Sequence, residues 1–351
     1  MAGGIGSRFW PISRTATPKQ FLDILGTGKT FIRSTFERFR PLVPDANFLV
    51  VTNSIYKDLV LEQIPELKPG QVLCEPMGRN TAPAIAYAAF RLRATDPNAA
   101  MIVTPSDHVV FGDDEFRDVV ARCVDFACER EVLMTIGIKP TYPNTGYGYI
   151  QVEDGCDPDG GICKVRTFTE KPGYDMAKTF VESGEFFWNS GIFVWKAESI
   201  LQSLENHLPD TYYLFNRGAD DYGTPREDEA IAEIYAQSRA ISIDFGVMEK
   251  ASNVYVYCGK FGWSDIGTWG SLYEYSQKDE AGNVVPETSQ LYNTSDCIIK
   301  APAGKLVVIE GLKDYIVVDT DDVLFVCPKQ NEQNIKSYTE EIKFKKGDKF
   351  I

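Results

Sequence analysis

Histidine is nearly missing from this 351-residue sequence, which holds only His108 and His207. Two imidazoles are too few for a histidine-built metal site. The eight cysteines, at positions 74, 123, 128, 156, 163, 258, 297 and 327, form no C-x-x-C pair, and several lie inside apolar runs such as Leu-Phe-Val-Cys327. That pattern predicts buried, reduced thiols and argues against disulfides and zinc. No apolar stretch approaches the roughly 18 residues of a membrane span. Met1 also runs straight into Ala-Gly-Gly, without the basic and apolar regions of a signal peptide. The expectation is a soluble, cytoplasmic protein. Basic charge is in deficit: 36 Lys and Arg against 50 Asp and Glu give a net charge of −14. Such a field repels duplex nucleic acid and anionic membranes, so neither is expected as a partner. A polyanionic ligand would have to be met by a local basic pocket.

What is present is an ordinary globular composition, 44% hydrophobic and 25% charged, far from the regime of disorder. The length suits one large core with a smaller appended unit. Apolar periodicity predicts helices over 29–40, 54–64, 80–93 and 113–130, alternating with short strands at 48–52, 72–74, 101–104 and 132–138. Alternation of this kind argues for a mostly parallel sheet with helices on both faces, whose ligands sit at the carboxyl ends of the strands. From about 140 the pattern becomes mixed, with strands at 148–152, 163–170 and 191–196 and helices at 197–206 and 226–237. Apolar runs beginning at Cys297, Leu306, Tyr315 and Val323, separated by turn formers, predict a small all-β appendage after the polar segment Gln277 to Ser289. A last helix is expected where Ile335, Tyr338 and Ile342 fall at helical spacing. The implied division is residues 1–280 and 290–351.

The chain opens Gly3-Gly4-Ile5-Gly6-Ser7-Arg8-Phe9-Trp10-Pro11, followed by Ser13-Arg14 and Pro18-Lys19-Gln20-Phe21. Glycines let consecutive backbone N–H groups approach phosphate oxygens, and Arg8 and Lys19 supply the positive charge an anion demands. The spacing fits neither the P-loop nor the dinucleotide-binding fingerprint. Asp107 follows an apolar strand, where an oxygen ligand suits Mg²⁺ and a helix cap is equally compatible. Asp265, taken alone, reads as a turn residue. The segment Glu75 to Thr81 reads as a cap cluster with one ion pair, and Glu170-Lys171 as a strand-end ion pair of little energetic weight.

Together these segments resemble the sugar-1-phosphate nucleotidylyltransferases. Gly-Gly-x-Gly-x-Arg with Pro-Lys-Gln is that family's signature, and Gly-Ser-Arg-Phe-Trp-Pro-x-Ser-Arg is similar to its mannose-1-phosphate guanylyltransferase (GDP-mannose pyrophosphorylase) branch. Seven further segments match in order: Glu75-Pro76-x-x-Arg79-Asn80-Thr81-Ala82-Pro83, Pro105-Ser106-Asp107-His108, Asn144-Thr145-Gly146-Tyr147-Gly148-Tyr149, Phe168-Thr169-Glu170-Lys171-Pro172, Trp188-Asn189-Ser190-Gly191, Val247-Met248-Glu249-Lys250, and Trp263-Ser264-Asp265-Ile266-Gly267-Thr268-Trp269.

The resemblance implies an α/β fold, a Rossmann-like mixed sheet of the nucleotidyltransferase (glycosyltransferase-A-like) type, with a small β-helix-like C-terminal domain. It implies GTP and mannose 1-phosphate as substrates, GDP-mannose and pyrophosphate as products, Mg²⁺ as cofactor, and allows a homodimer. Arg8 and Lys19 would be catalytic. Gly3, Gly4, Gly6, Ser7, Glu75, Arg79, Asn80, Thr81 and Asp107 would bind the nucleotide, with Glu75 and Asn80 on the guanine edge. Gly146, Glu170, Lys171 and Asn189 would bind the sugar phosphate, and Asp107 and Asp265 the metal. His108 is expected to be a neighbour of Asp107, and the aromatics from Trp188 to Trp195 to form core or pocket wall. A different base or sugar, or a non-catalytic paralogue that binds sugar nucleotide, are the alternatives; retention of Lys19 and both metal carboxylates favours an enzyme. Relatives carry a hydrophobic strand just before Ala-Gly-Gly, so Met1 is expected to be an internal or misassigned start.

Overall fold

A computed structural model describes residues 1–4, 6–156 and 161–351; Ile5 of the opening motif lies outside the described residues. The chain forms two compact units. One comprises Met1–Gly3, Phe36–Ser106 and Val110–Trp263; the other comprises Gly4–Thr35, Asp107–Val109 and Ser264–Ile351.

The first unit is built on a six-stranded sheet in the order Ala100–Val103, Phe186–Lys196, Leu133–Ile138, Val254–Gly259, Ile162–Thr169, Tyr149–Val152. Successive residues of the long strand go to opposite sides: Phe187, Phe193 and Trp195 join one core cluster, and Phe186, Trp188, Ile192 and Val194 the other. That period of two buries both faces, and the Trp188 to Trp195 aromatics are core. The alanine-rich helix Thr81–Arg93 contributes to the first cluster and Asp113–Glu129 to the second.

The sheet is mixed, as the family resemblance implies, and not mostly parallel as β/α alternation alone suggests. Leu133–Ile138 pairs in parallel with Val254–Gly259. The other pairings of this sheet are antiparallel. The reason is long-range. The eleven-residue strand Phe186–Lys196 from the mixed second half inserts between Ala100–Val103 and Leu133–Ile138, two strands of the alternating first half. The parallel pattern does hold for Val50–Asn53 against Val72–Glu75. Ala2 bridges to Thr52, donating its N–H to the Val51 carbonyl at 2.8 Å.

Cys156 and Cys163 are joined in a disulfide, with Cα atoms 5.8 Å apart, against the expectation of reduced thiols. Antiparallel pairing of Tyr149–Val152 with Ile162–Thr169 continues through Glu153 N–H to the Lys164 carbonyl and brings the two cysteines side by side. Cys123, Cys258, Cys297 and Cys327 are buried and lie outside any disulfide, as expected.

In the second unit the appendage winds as a parallel coil. Ser289 pairs with Val307, Ser295 with Lys313 and Ile298 with Ile316, eighteen residues on each time. Strand Leu324–Pro328 then closes the sheet antiparallel to Tyr315–Asp319. Ile298, Ile316, Val318 and Phe325 share a core with Phe9, Trp10, Ile24, Phe31 and Trp269. The opening glycine loop is therefore packed with the coil. The Trp10 indole N–H donates to the Phe350 carbonyl at 2.7 Å, and Arg14 forms a two-pronged ion pair with Asp322. The closing helix is Ile335–Lys346.

Candidate active site

In the second unit, Gly6 adopts the left-handed conformation (φ 61°, ψ 36°) just before the short helical turn Ser7–Phe9. A Cβ at Gly6 would stand 2.5 Å from the Cβ of Lys19 and 3.3 Å from Ser13 Oγ, so both backbone and space demand glycine. Gly4 and Arg8 are exposed, and the Arg8 guanidinium makes no hydrogen bond or ion pair among the described residues.

Lys19 is the opposite case, being only 3% exposed. Its ammonium donates to the Asp107 carbonyl at 2.8 Å, to Asp107 Oδ2 at 3.1 Å and to the Asp265 carbonyl at 2.6 Å. It also lies 5.0 Å from the centre of the Phe31 ring and 5.8 Å from that of Phe9. All three N–H donors of the ammonium are engaged. Burial pushes the Asp107 carboxyl up, but the Lys19 ammonium and His108 outweigh it and hold the group below the ordinary carboxylate value. His108 Nε2 stands 3.8 Å from Asp107 Oδ1, the neighbour position expected of it. Asp265 Oδ1 accepts from Gly267 N–H at 3.0 Å in a tight turn. Lys19 thus ties together the segments carrying the two carboxylates predicted to hold metal.

The first unit holds the remaining residues in two groups. Glu75 ends the strand Val72–Glu75 and is buried, with Oε1 lacking any hydrogen-bond partner. Burial pushes its carboxyl up to about 7, offset in part by the nearby Tyr235 hydroxyl. That hydroxyl sits beside Glu75 without a well-aligned hydrogen bond. A Cβ on Gly3 would be 3.5 Å from Glu75 Oε2, so the start of the glycine motif lies against this carboxylate. Asn80 caps the helix Thr81–Arg93, its Oδ1 accepting from Thr81 N–H at 2.8 Å, and its φ is 68°. Arg79 Nε donates to the Tyr235 carbonyl at 3.1 Å, and Thr81 Oγ1 accepts from Ile243 N–H at 2.8 Å. These contacts brace the loop against the 241–243 segment.

The second group centres on Asn189, in the middle of the long strand. Its Oδ1 lies 3.0 Å from Thr135 Oγ1 and accepts from Gly191 N–H at 3.2 Å, and its Nδ2 donates to Asp244 Oδ1 at 2.9 Å. Asn189 N–H donates to the Gly148 carbonyl at 2.8 Å. Glu170 Oε1 pairs with the exposed Lys171 ammonium at 2.9 Å, while Oε2 is buried with no partner. A Cβ on Gly148 would collide with that Oε2, so a glycine is what leaves room for the carboxylate. The Glu170 N–H donates to Glu249 Oε1 at 2.9 Å, giving the Val247–Lys250 segment a structural link to the group. Gly146 is exposed, its N–H bonded to Asn144 Oδ1 at 2.7 Å.

The nucleotidyl transferase family model matches residues 1–282, and a MannoseP isomerase/GMP-like beta-helix domain matches residues 291–342. The chain belongs to the nucleotidyl transferase family. A mannose-1-phosphate guanylyltransferase of Salmonella montevideo is 37% identical over 100% of this chain and 74% of its own length. One from Escherichia coli is 35% identical over 97% of this chain and 74% of its own. A solved structure described as mannose-1-phosphate geranyltransferase from Thermus thermophilus superposes with a TM-score of 0.87 at 31% identity, covering 98% of each chain.

Within this nucleotidyl transferase three unit boundaries fall inside motif segments, between Gly3 and Gly4, between Ser106 and Asp107 and between Trp263 and Ser264. Gly4, Gly6, Ser7, Arg8, Lys19, Asp107 and Asp265 belong to one unit. Gly3, Glu75, Arg79, Asn80, Thr81, Gly146, Glu170, Lys171 and Asn189 belong to the other. Tyr235 beside Glu75, and Thr135 and Asp244 against Asn189, went unread in the sequence. Asp244 stands three positions before the recognised Val247-Met248-Glu249-Lys250 segment, which was the available signal; Tyr235 lies in an amphipathic helix, Glu227–Gln237, with none.

Among the described residues no group of three or more His, Cys, Asp or Glu side chains converges as a metal cage. Asp107 and Asp265 nevertheless fit Mg²⁺, which takes one or two carboxylates and leaves its other positions to water and phosphate. No helix of the described chain is long and apolar enough to cross a membrane.

Proposed function

We propose that the chain is a mannose-1-phosphate guanylyltransferase, converting α-D-mannose 1-phosphate and GTP into GDP-mannose and pyrophosphate, with residues 1–280 as catalytic domain and 290–351 as β module. The observation that carries the guanylyl reading is Glu75. A buried carboxylate with an unpartnered oxygen, beside Gly3, matches the row of N–H donors on the guanine edge. Relatives named for this activity, at 35–37% identity along the chain, support it.

The nucleophile is a phosphate oxygen of the sugar 1-phosphate. It forms a bond to the α-phosphorus of GTP as the bond to the β-phosphate oxygen breaks, and pyrophosphate departs. The oxygen is already anionic at neutral pH, so no general base is needed. Catalysis then rests on positioning and on neutralising charge. Mg²⁺ held by Asp107 and Asp265 would supply charge neutralisation at the phosphates. Lys19, its donors engaged, fixes those two segments; Arg8, exposed and unpaired among the described residues, is the cation left to meet the departing phosphates. Lys171 meets the sugar phosphate, and Glu170 with Asn189 the sugar hydroxyls. These side chains supply local cationic and polar groups within a chain whose net charge is −14. A grid of nucleoside triphosphates against sugar 1-phosphates, scored for magnesium-dependent pyrophosphate release, tests the reading. The largest kcat/KM is expected for GTP with mannose 1-phosphate; preference for dTTP or UTP overturns the guanylyl assignment, and no turnover with any pair overturns the enzyme.

A further inference from the structure

Asp244 has no part in the scheme above, yet it is placed to control one of its residues. It begins the helical turn Asp244–Met248, and the backbone before it is fixed: Ile243 N–H donates to Thr81 Oγ1 at 2.8 Å, and Ile241 N–H to the Arg79 carbonyl at 3.2 Å. The Asp244 carboxylate accepts from Asn189 Nδ2 at 2.9 Å. On the other end of the same amide, Oδ1 accepts from Gly191 N–H at 3.2 Å. An amide turned over would set its oxygen against a carboxylate and its NH₂ against an N–H, two repulsive contacts in place of two attractive ones. With one N–H spent on Asp244, a single N–H remains to meet a ligand.

From this geometry we infer that Asp244 is a positioning residue of the sugar subsite: it locks the Asn189 amide so that the group presents an N–H donor, never its oxygen, to a sugar hydroxyl. The inference rests on the sugar-binding role proposed for Asn189 above. It also gives the subsite a defined polarity. Asn189 donates, while Glu170 Oε2, buried and unpartnered, accepts. A hydroxyl can satisfy both, whereas a sugar lacking that hydroxyl would leave the acceptor stranded. Burial and the neighbouring Glu170 carboxylate push the Asp244 carboxyl up to about 6, against the lowering by Lys171 and by the Asn189 bond. Among the described residues, Glu170 and Lys171 are the charged groups acting on it.

The test uses the full chain and two variants. Asp244→Ala removes the acceptor; Asp244→Asn keeps an acceptor oxygen and removes the charge. Asp244→Ala is expected to raise KM for mannose 1-phosphate by about 10- to 100-fold, the effect of losing a hydrogen bond to a charged group. KM for GTP should move less than about twofold. Asp244→Asn is expected to recover KM to within about threefold of wild type at pH 8. A purely structural role would lower melting temperature and disturb both substrates alike. The Asn189 side-chain amide, followed by ¹⁵N NMR and assigned with Asn189→Ala, gives a readout independent of turnover. It should titrate near pH 6 in the wild type, lose that titration in Asp244→Asn, and shift in Asp244→Ala. An unchanged sugar KM in Asp244→Ala, or amide signals that titrate equally in all three proteins, overturns the inference. If no sugar 1-phosphate supports turnover, the proposed function fails by itself, and the amide titration still decides whether Asp244 holds Asn189.

Discussion

Lys19 and Asp265 are 246 positions apart in the sequence, and the Lys19 ammonium donates to the Asp265 carbonyl oxygen at 2.6 Å. The same nitrogen bonds Asp107 twice. One buried cation therefore sets where two carboxylate-bearing turns begin.

Lys19→Ala is expected to lower kcat by about two to three orders of magnitude, the scale of losing one preorganised electrostatic contact, with a smaller change in KM for the sugar phosphate. Steady-state kinetics check it. Because Lys19 holds the Asp107 carboxyl low, the variant should also show Asp107 ionising closer to the ordinary carboxylate range. An unchanged kcat would show that Lys19 does not position the two carboxylates for catalysis.

Gly6→Ala places a Cβ 2.5 Å from the Lys19 Cβ and forces a left-handed backbone on alanine. Strain of that kind costs about 1 to 3 kcal/mol. Because the loop and Lys19 share the contact, activity should fall by at least about tenfold while the protein remains folded. Circular dichroism melts paired with pyrophosphate assays separate the two effects, and wild-type turnover in Gly6→Ala would contradict the packing argument.

Asp107→Asn and Asp265→Asn are each expected to raise the magnesium concentration needed for half-maximal activity. Titrating magnesium at saturating GTP measures it. A shift in only one of the two variants would mean that the carboxylates do not share a metal.

Glu75 supplies a pH dependence with a definite sign. Its carboxyl is pushed up in the folded chain from an ordinary value of 4.5 to about 7, so the folded state prefers it protonated. The stability this provides is complete below about pH 4.5 and is lost as pH rises toward 7, on the order of 3 kcal/mol in all. Glu75→Gln should therefore melt higher than wild type at about pH 8 and converge with it near about pH 4. Guanine binding runs the other way, since the ionised form is the better acceptor. KM for GTP should rise as pH falls through 7 in the wild type, and Glu75→Gln should bind GTP weakly at every pH. Identical melting curves at both pH values would show that burial does not raise the Glu75 carboxyl in the folded chain.

The sequence by itself determined which segments matter. Helices Thr81–Arg93 and Asp113–Glu129 follow from apolar periodicity, and the glycine motif with Lys19, Asp107 and Asp265 is readable as residue types in order. Such features are local, because period, capping and turn chemistry act within a few residues of chain. The tertiary structure alone decided the rest. The strand Phe186–Lys196 enters between Ala100–Val103 and Leu133–Ile138 and pairs antiparallel with both, which local β/α alternation does not foretell. The antiparallel pair around Glu153 and Lys164 carries Cys156 to Cys163. Asp244 meets Asn189 across 55 positions, and Lys19 reaches Asp265 across 246. Strand pairing and buried polar contacts of this kind depend on which distant partners reach each other in the folded chain, and no periodicity within one segment encodes that choice.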